Sequence, residues 1–62
     1  MIGEIGKAIT DLRPSGKIQI NEKIYDAKSE MGFLEKNQMI KVIRYETGQL
    51  YVIKAYLISD KN

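Results

Sequence analysis

Short segments of strand-like sequence run along most of this chain, and their spacing constrains its fold more than any other feature. In the first three, polar and apolar residues alternate; the last two are rich in Ile, Val and Tyr. The segments are residues 7–12, 17–20, 24–29, 39–46 and 49–54. Successive side chains of a strand point to opposite faces of a sheet, so a period of two predicts strands. The enrichment in β-branched and aromatic residues favours the same assignment.

The first break in the pattern contains the single proline of the chain. Arg13, Pro14, Ser15 and Gly16 place proline at the second position of a four-residue turn and glycine at the fourth. Proline sets the φ angle that a type I turn needs at that position, and glycine suits the exit. This stretch therefore predicts a corner between the first two strands.

The second and third strands can be paired in two registers. With Glu22 and Lys23 as the loop, Ile20 lies opposite Tyr25, and apolar and polar residues separate onto different faces. A loop shifted by one residue puts Ile20 opposite Lys23 and mixes the faces. A half-buried antiparallel pair should keep its faces distinct, so the first register is favoured.

The last two strands are joined at Thr47 and Gly48, where glycine supplies the positive φ of a tight hairpin. The alternation changes phase near Val42 and Ile43, which predicts a β-bulge. Residues 30–38 are too short for a stable helix, so we expect an irregular connection or one helical turn. Within that connection, Phe33 and Leu34 are expected to fill the core.

Five short strands at this spacing predict a small closed antiparallel barrel with little or no helix. We expect the barrel to occupy residues 1–54 and residues 55–62 to form a carboxy-terminal tail. At 62 residues the chain holds one domain at most and has little volume for a deep cleft. No run approaches the roughly 18 apolar residues of a spanning helix, and no signal-peptide pattern is present.

Several kinds of chemistry are disfavoured by composition. The chain has no cysteine and no histidine, so disulfides, thiolate metal sites and the commonest general base are excluded. Ser15 with Lys17 is conceivable as a catalytic pair, but an exposed turn does not depress the pKa of a lysine. The carboxylates are scattered and match no cation-binding loop. We therefore predict a non-enzymatic domain without metal or cofactor.

Four motifs now combine into a recognisable set. They are Gly-x-x-Gly at residues 3–6, T-x-L-R-P-S-G-K at 10–17, D-A-x-S-E at 26–30 and G-x-L-x-V at 48–52. Together they resemble the carboxy-terminal domain of NfeD-like proteins, and the resemblance covers residues 3–53. The chain departs from the pattern at Glu22 and Asn37, where the family commonly has glycine.

The resemblance implies an OB-fold barrel of five strands. NfeD-like proteins usually join this domain to membrane-spanning segments, and longer members add an amino-terminal serine-protease domain. Their partners are stomatin- and flotillin-type membrane scaffold proteins. By resemblance, we expect the membrane link and any protease activity to lie elsewhere in a longer protein, with this domain at the cytoplasmic face.

Two readings compete for the outward residues of the last strands. Apolar residues beyond what the inward face needs favour a partner-binding surface, formed by Lys41, Arg44, Tyr51, Ile53 and Tyr56. OB folds also bind single-stranded nucleic acids by stacking bases on aromatic rings beside basic residues. The ten basic and eight acidic residues are interspersed, which disfavours nucleic acid as the partner.

Arg13 and Asp11 flank the predicted corner. A salt bridge between them would hold the corner in place, whereas the functional alternative is a ligand contact through Arg13. The structural role is favoured because a turn at this spacing needs no ligand.

Overall fold

A computed structural model describes residues 1–55 of the chain, and in this range it contains five strands and no helix. The strands are β1 (Ile5–Ala8), β2 (Ser15–Ile20), β3 (Lys23–Ser29), β4 (Met39–Glu46) and β5 (Gln49–Lys54). The predicted bounds of β4 and β5 agree with the structure. β1 begins and ends earlier than predicted. The chain leaves the sheet after Ala8, and before β2 it forms only an isolated bridge between Leu12 and Leu34.

The five strands close into a barrel in the order β1-β2-β3-β5-β4, with β4 paired back to β1. This is the OB-fold barrel that the motifs implied. One part of the prediction is wrong: β3 and β5 run parallel, while the other neighbours are antiparallel. A closed ring of five strands cannot alternate direction throughout, because alternation around a ring requires an even number. At least one parallel pair is therefore unavoidable.

Alternate residues of all five strands fill the interior together with two loop leucines. The buried apolar residues are Ala8, Leu12, Ile18, Ile20, Ala27, Leu34, Ile40, Val42, Leu50 and Val52. Leu34 enters the core as predicted, but Phe33 does not. Its side chain is 49% exposed because it turns outward over Arg13. The connection that carries both residues is irregular.

The β2–β3 hairpin adopts the register that the sequence disfavoured. Ile20 lies opposite Lys23 and Ile18 opposite Tyr25, with Asn21 in the loop at a φ of 58°. Asparagine tolerates this left-handed conformation better than most residues. Lys23 shares the inward side with Ile20, but it is the first residue of β3 and remains exposed to water.

The corner between β1 and β2 is present, but it is not the predicted turn with Gly16 at its exit. Gly16 lies within β2 opposite Ala27, and the Arg13–Pro14 peptide bond is cis. Glycine is needed here for space. A Cβ at this position would collide with the backbone oxygen of Asp11 and with the side chain of Leu12.

The β4–β5 hairpin confirms the predicted loop, with Tyr45 opposite Leu50, and the bulge lies between Val42 and Arg44. Both loop residues have positive φ, 51° at Thr47 and 74° at Gly48. This combination is typical of a type I′ turn, which favours Asn-Gly. A β-branched residue is strained at positive φ.

Replacing Thr47 by asparagine should therefore stabilise the domain by about 1 kcal/mol, since strain of this kind costs on the order of 1–3 kcal/mol. For a domain of this size that gain raises the melting temperature by roughly 4–8 °C. Thermal unfolding followed by circular dichroism measures it. Thr47→Val keeps the branched Cβ and serves as the control, expected to show no gain. An asparagine variant that melts with the wild type would show that Thr47 is not strained.

Candidate functional site

Four of the predicted site residues lie together on the outer surface of the last two strands. Lys41 is opposite Ile53, and Arg44 is opposite Tyr51. The bulge near residue 43 makes this possible. Its extra residue turns Arg44 to the same outer face as Lys41, while neighbouring Val42 stays inside the barrel. We call these four residues the outer β4–β5 face. The fifth predicted residue, Tyr56, lies outside the described residues.

Arg44 is the most constrained side chain of the outer β4–β5 face. Its guanidinium carbon lies 4.2 Å from the centre of the Tyr51 ring, so the two side chains form a cation–π pair. Nη2 donates to Oε1 of Glu30 at 2.8 Å, and Nε lies 3.7 Å from Oε1 of Glu46. Exposed ion pairs contribute little stability. Their effect here is to hold the guanidinium in one orientation.

The same contacts bear on nucleic-acid binding. A phosphate approaching Arg44 would compete with the carboxylates of Glu30 and Glu46. The outward residues of β2 and β3, both fully described, include no aromatic ring; they are Ser15, Lys17, Gln19, Ile24, Asp26 and Lys28. Single-strand binding by an OB fold relies on aromatic stacking beside free cations. The outward residues of β2 and β3 do not supply that combination.

Arg13 and Asp11 form the predicted salt bridge, with Nη2 and Oδ2 3.3 Å apart. Asp11 Oδ1 also accepts a hydrogen bond from the backbone nitrogen of Lys36 at 2.8 Å. The guanidinium carbon of Arg13 lies 4.9 Å from the centre of the Phe33 ring. Arg13 and Asp11 thus connect the β1–β2 corner to the β3–β4 connection, which supports the structural role of this pair.

A depression that sequence reasoning missed lies next to Ile53. Its volume is about 320 Å³, and it is lined by Ser29, Met31, Phe33, Leu34, Ile53 and Lys54. We call it the Ser29 depression. Met31 is 79% exposed, the largest exposure of any large apolar side chain described. Met31 and Phe33 belong to an irregular segment, where no alternation indicates which side chains face outward.

Residues 1–54 match the NfeD-like C-terminal, partner-binding domain family. The chain belongs to this family. It is 38% identical over 52 residues to membrane protein NfeD1b of Bacillus subtilis, a match that covers 84% of this chain and 12% of NfeD1b. The C-terminal domain of stomatin operon partner protein 1510-C from Pyrococcus horikoshii has the same fold, with a TM-score of 0.85 at 29% identity. That alignment covers 92% of this chain and 91% of the other.

In this NfeD-like domain, the T-x-L-R-P-S-G-K motif builds the corner. The side-chain oxygen of Thr10 accepts a hydrogen bond from the backbone nitrogen of Lys17 at 3.0 Å, and Leu12 is fully buried. The motif that most strongly indicates the family is therefore structural. Residues 1–55 contain no helix that could cross a membrane, although the relative NfeD1b is named a membrane protein.

Proposed function

We propose that this domain is a non-catalytic interaction module of an NfeD-like membrane-associated protein. Its proposed partner is a stomatin- or flotillin-type membrane scaffold protein. The family is described by partner binding, and the matching solved structure belongs to a stomatin operon partner protein. We further propose that the contact involves the outer β4–β5 face, continued by Tyr56, and that the domain faces the cytoplasm. Membrane attachment would lie in other parts of a longer protein.

The observation that carries this proposal is the Arg44–Tyr51 pair with Ile53 beside it. Tyrosine and arginine are enriched at binding hot spots, where a few side chains supply most of the affinity. Arg44 is already held by Tyr51 and Glu30, so less side-chain freedom is lost when a partner binds. A half-buried isoleucine adjoining such a pair adds apolar area to the contact.

The proposed absence of catalysis has a structural argument as well. Lys17 is the conceivable activating base for Ser15, but its ammonium is paired with the carboxylate of Asp26. Both partners of that ion pair are exposed to water. The ammonium of Lys17 is thus engaged by Asp26, whereas an activating base must lie within hydrogen-bond reach of the hydroxyl.

Truncation of Tyr51 tests the proposed contact. Tyr51→Ala removes the ring under Arg44, and we expect it to weaken binding to a purified stomatin homologue by about 30-fold, the effect of losing a hot spot worth about 2 kcal/mol. Ile53→Ser should weaken binding in the same direction. Isothermal titration calorimetry with the 62-residue chain measures both variants.

The chain offers a matched control for each variant. Tyr45→Ala removes an exposed tyrosine from the same strand as Arg44, and Ile24→Ser alters an exposed isoleucine on β3. Both should bind as the wild type does. Tight binding of short single-stranded nucleic acids that weakens steeply with salt would contradict the proposal. Electrophoretic mobility shift detects it.

A further inference from the structure

The three methionines carry the only sulfur atoms of this chain, which has no cysteine. All three lie among the described residues, but they differ in their access to water. Met31 is 79% exposed, Met1 is 46% exposed, and Met39 is half-buried as the first residue of β4. The rate at which a hydroperoxide oxidises a thioether depends on the exposure of the sulfur. Met31 is therefore expected to react first.

Met31 also lies where a change of polarity leaves the fold intact. It belongs to the irregular connection between β3 and β4, outside the strands, and it is not part of the buried core. Changes at the surface, away from buried features, usually have little effect on stability. Oxidation of Met31 should therefore leave the melting temperature of the domain unchanged.

The apolar surface around Met31 is continuous with the outer β4–β5 face. Met31, Phe33 and Ile53 all line the Ser29 depression, and Ile53 is also one of the four residues of that face. Phe33 is largely exposed as well, so apolar surface extends from Ile53 to Met31 in contact with water. Concentrated apolar surface is a feature of interaction sites, and the flexible side chain of methionine is frequent in them.

Oxidation of Met31 needs no reagent other than a hydroperoxide. A lone pair of the thioether sulfur attacks one peroxide oxygen, and the O–O bond breaks as the S–O bond forms. The proton of the transferred oxygen passes to the leaving oxygen. With hydrogen peroxide the products are methionine sulfoxide and water, so the sulfur is oxidised by two electrons and the peroxide is reduced by two. The sulfoxide is a polar and chiral side chain, which disrupts apolar contacts.

We propose that Met31 is a reversible oxidation site, and that its conversion to the sulfoxide by a hydroperoxide weakens the contact with the partner protein. This rests on the proposed function, since it extends the contact from the outer β4–β5 face along Ile53 to Met31. It adds a chemical control of that contact. Methionine sulfoxide reductases convert the sulfoxide back to the thioether, which makes the control reversible.

Peptide mapping by mass spectrometry after graded treatment with hydrogen peroxide measures the order of oxidation in the 62-residue chain. Met31 should be oxidised before Met1 and Met39. A chain oxidised at Met31 alone, isolated by chromatography, should keep the wild-type melting temperature. Its affinity for the stomatin homologue should fall about fivefold or more, as for the loss of an interface contact, and sulfoxide reductases with dithiothreitol should restore it. Oxidation of Met1 or Met39 ahead of Met31, or an unchanged affinity, overturns the proposal.

Two substitutions separate the sulfur from the rest of the side chain. Met31→Leu keeps an apolar side chain of similar volume, so it should bind as the wild type does and lose the sensitivity to peroxide. Met31→Gln is polar, as the sulfoxide is, and should bind weakly without any oxidant. Met39→Leu is the matched control and should keep the full effect of peroxide. A Met31→Leu chain whose affinity still falls after peroxide treatment would assign the effect to another residue.

The two proposals fail in different ways. If Tyr51→Ala weakens binding but oxidation of Met31 and Met31→Gln do not, the oxidation proposal is wrong and the proposed function stands. If the homologue does not bind the wild-type chain with its methionines reduced, both proposals are wrong.

Discussion

Replacing Gly16 by valine is expected to remove a large part of the free energy of unfolding of this domain. An added Cβ would collide with the backbone oxygen of Asp11 and Cδ2 of Leu12, and would lie 2.6 Å from Oγ1 of Thr10. A backbone oxygen and a core side chain cannot withdraw unless the corner opens. Overpacking costs about 1–3 kcal/mol, and we expect at least the upper value here. Domains of this length are stable by only about 3–9 kcal/mol.

Urea denaturation followed by circular dichroism measures this loss. Ser15→Val is the matched control, because it introduces the same side chain at the exposed neighbouring position of β2. Valine favours strands, so the control should remain close to the wild type. A Gly16→Val chain with the wild-type denaturation midpoint would show that the corner is not close-packed.

Gly16 also illustrates what local sequence patterns reveal. The sequence pattern gives this glycine a conformational role at the exit of a turn. The structure gives a steric one, since Gly16 lies in β2 and the Asp11 carbonyl folds back against it. That approach depends on the path of residues 9–14 in three dimensions, which no local pattern specifies.

Strand register also has features that a local sequence pattern reveals and features that it does not. The bulge of β4 was predictable, because two apolar residues in succession at Val42 and Ile43 break the phase within a single strand. The predicted β2–β3 register is wrong, because separation of the faces specifies a register only where the paired residues are buried. Lys23, the first residue of β3, lies on the inward side opposite Ile20 and still remains exposed to water.

The candidate site was predictable within a hairpin and not beyond it. Arg44 and Tyr51 face each other across a two-residue loop, so their pairing follows from the turn. Glu30 reaches Arg44 only because β3 and β5 pair in parallel, a contact between distant parts of the chain. The exposure of Met31 likewise follows from the path of an irregular connection, for which the sequence has no period.

Leu12→Ala should destabilise the domain by about 2–5 kcal/mol, the usual cost of removing a buried leucine side chain. Leu12 is fully buried, and its backbone exchanges two hydrogen bonds with Leu34, at 2.8 and 3.0 Å. The side chain therefore fills the core at the point where the β1–β2 corner meets the β3–β4 connection. Urea denaturation gives the loss. Ile9→Ala, at a less buried neighbouring position, should cost clearly less.

The same leucine also tests the reason for Gly16. Cδ2 of Leu12 is one of the atoms that a Cβ at residue 16 would meet, so Leu12→Ala removes that obstacle. Gly16→Ala combined with Leu12→Ala should then be less destabilised than the sum of the single variants, with a coupling of about 0.5–3 kcal/mol. Strict additivity in urea denaturation would mean that the Asp11 carbonyl and the Thr10 hydroxyl exclude a side chain at residue 16 without a contribution from Leu12. In that case the glycine is required by the corner itself and not by the packing of the core.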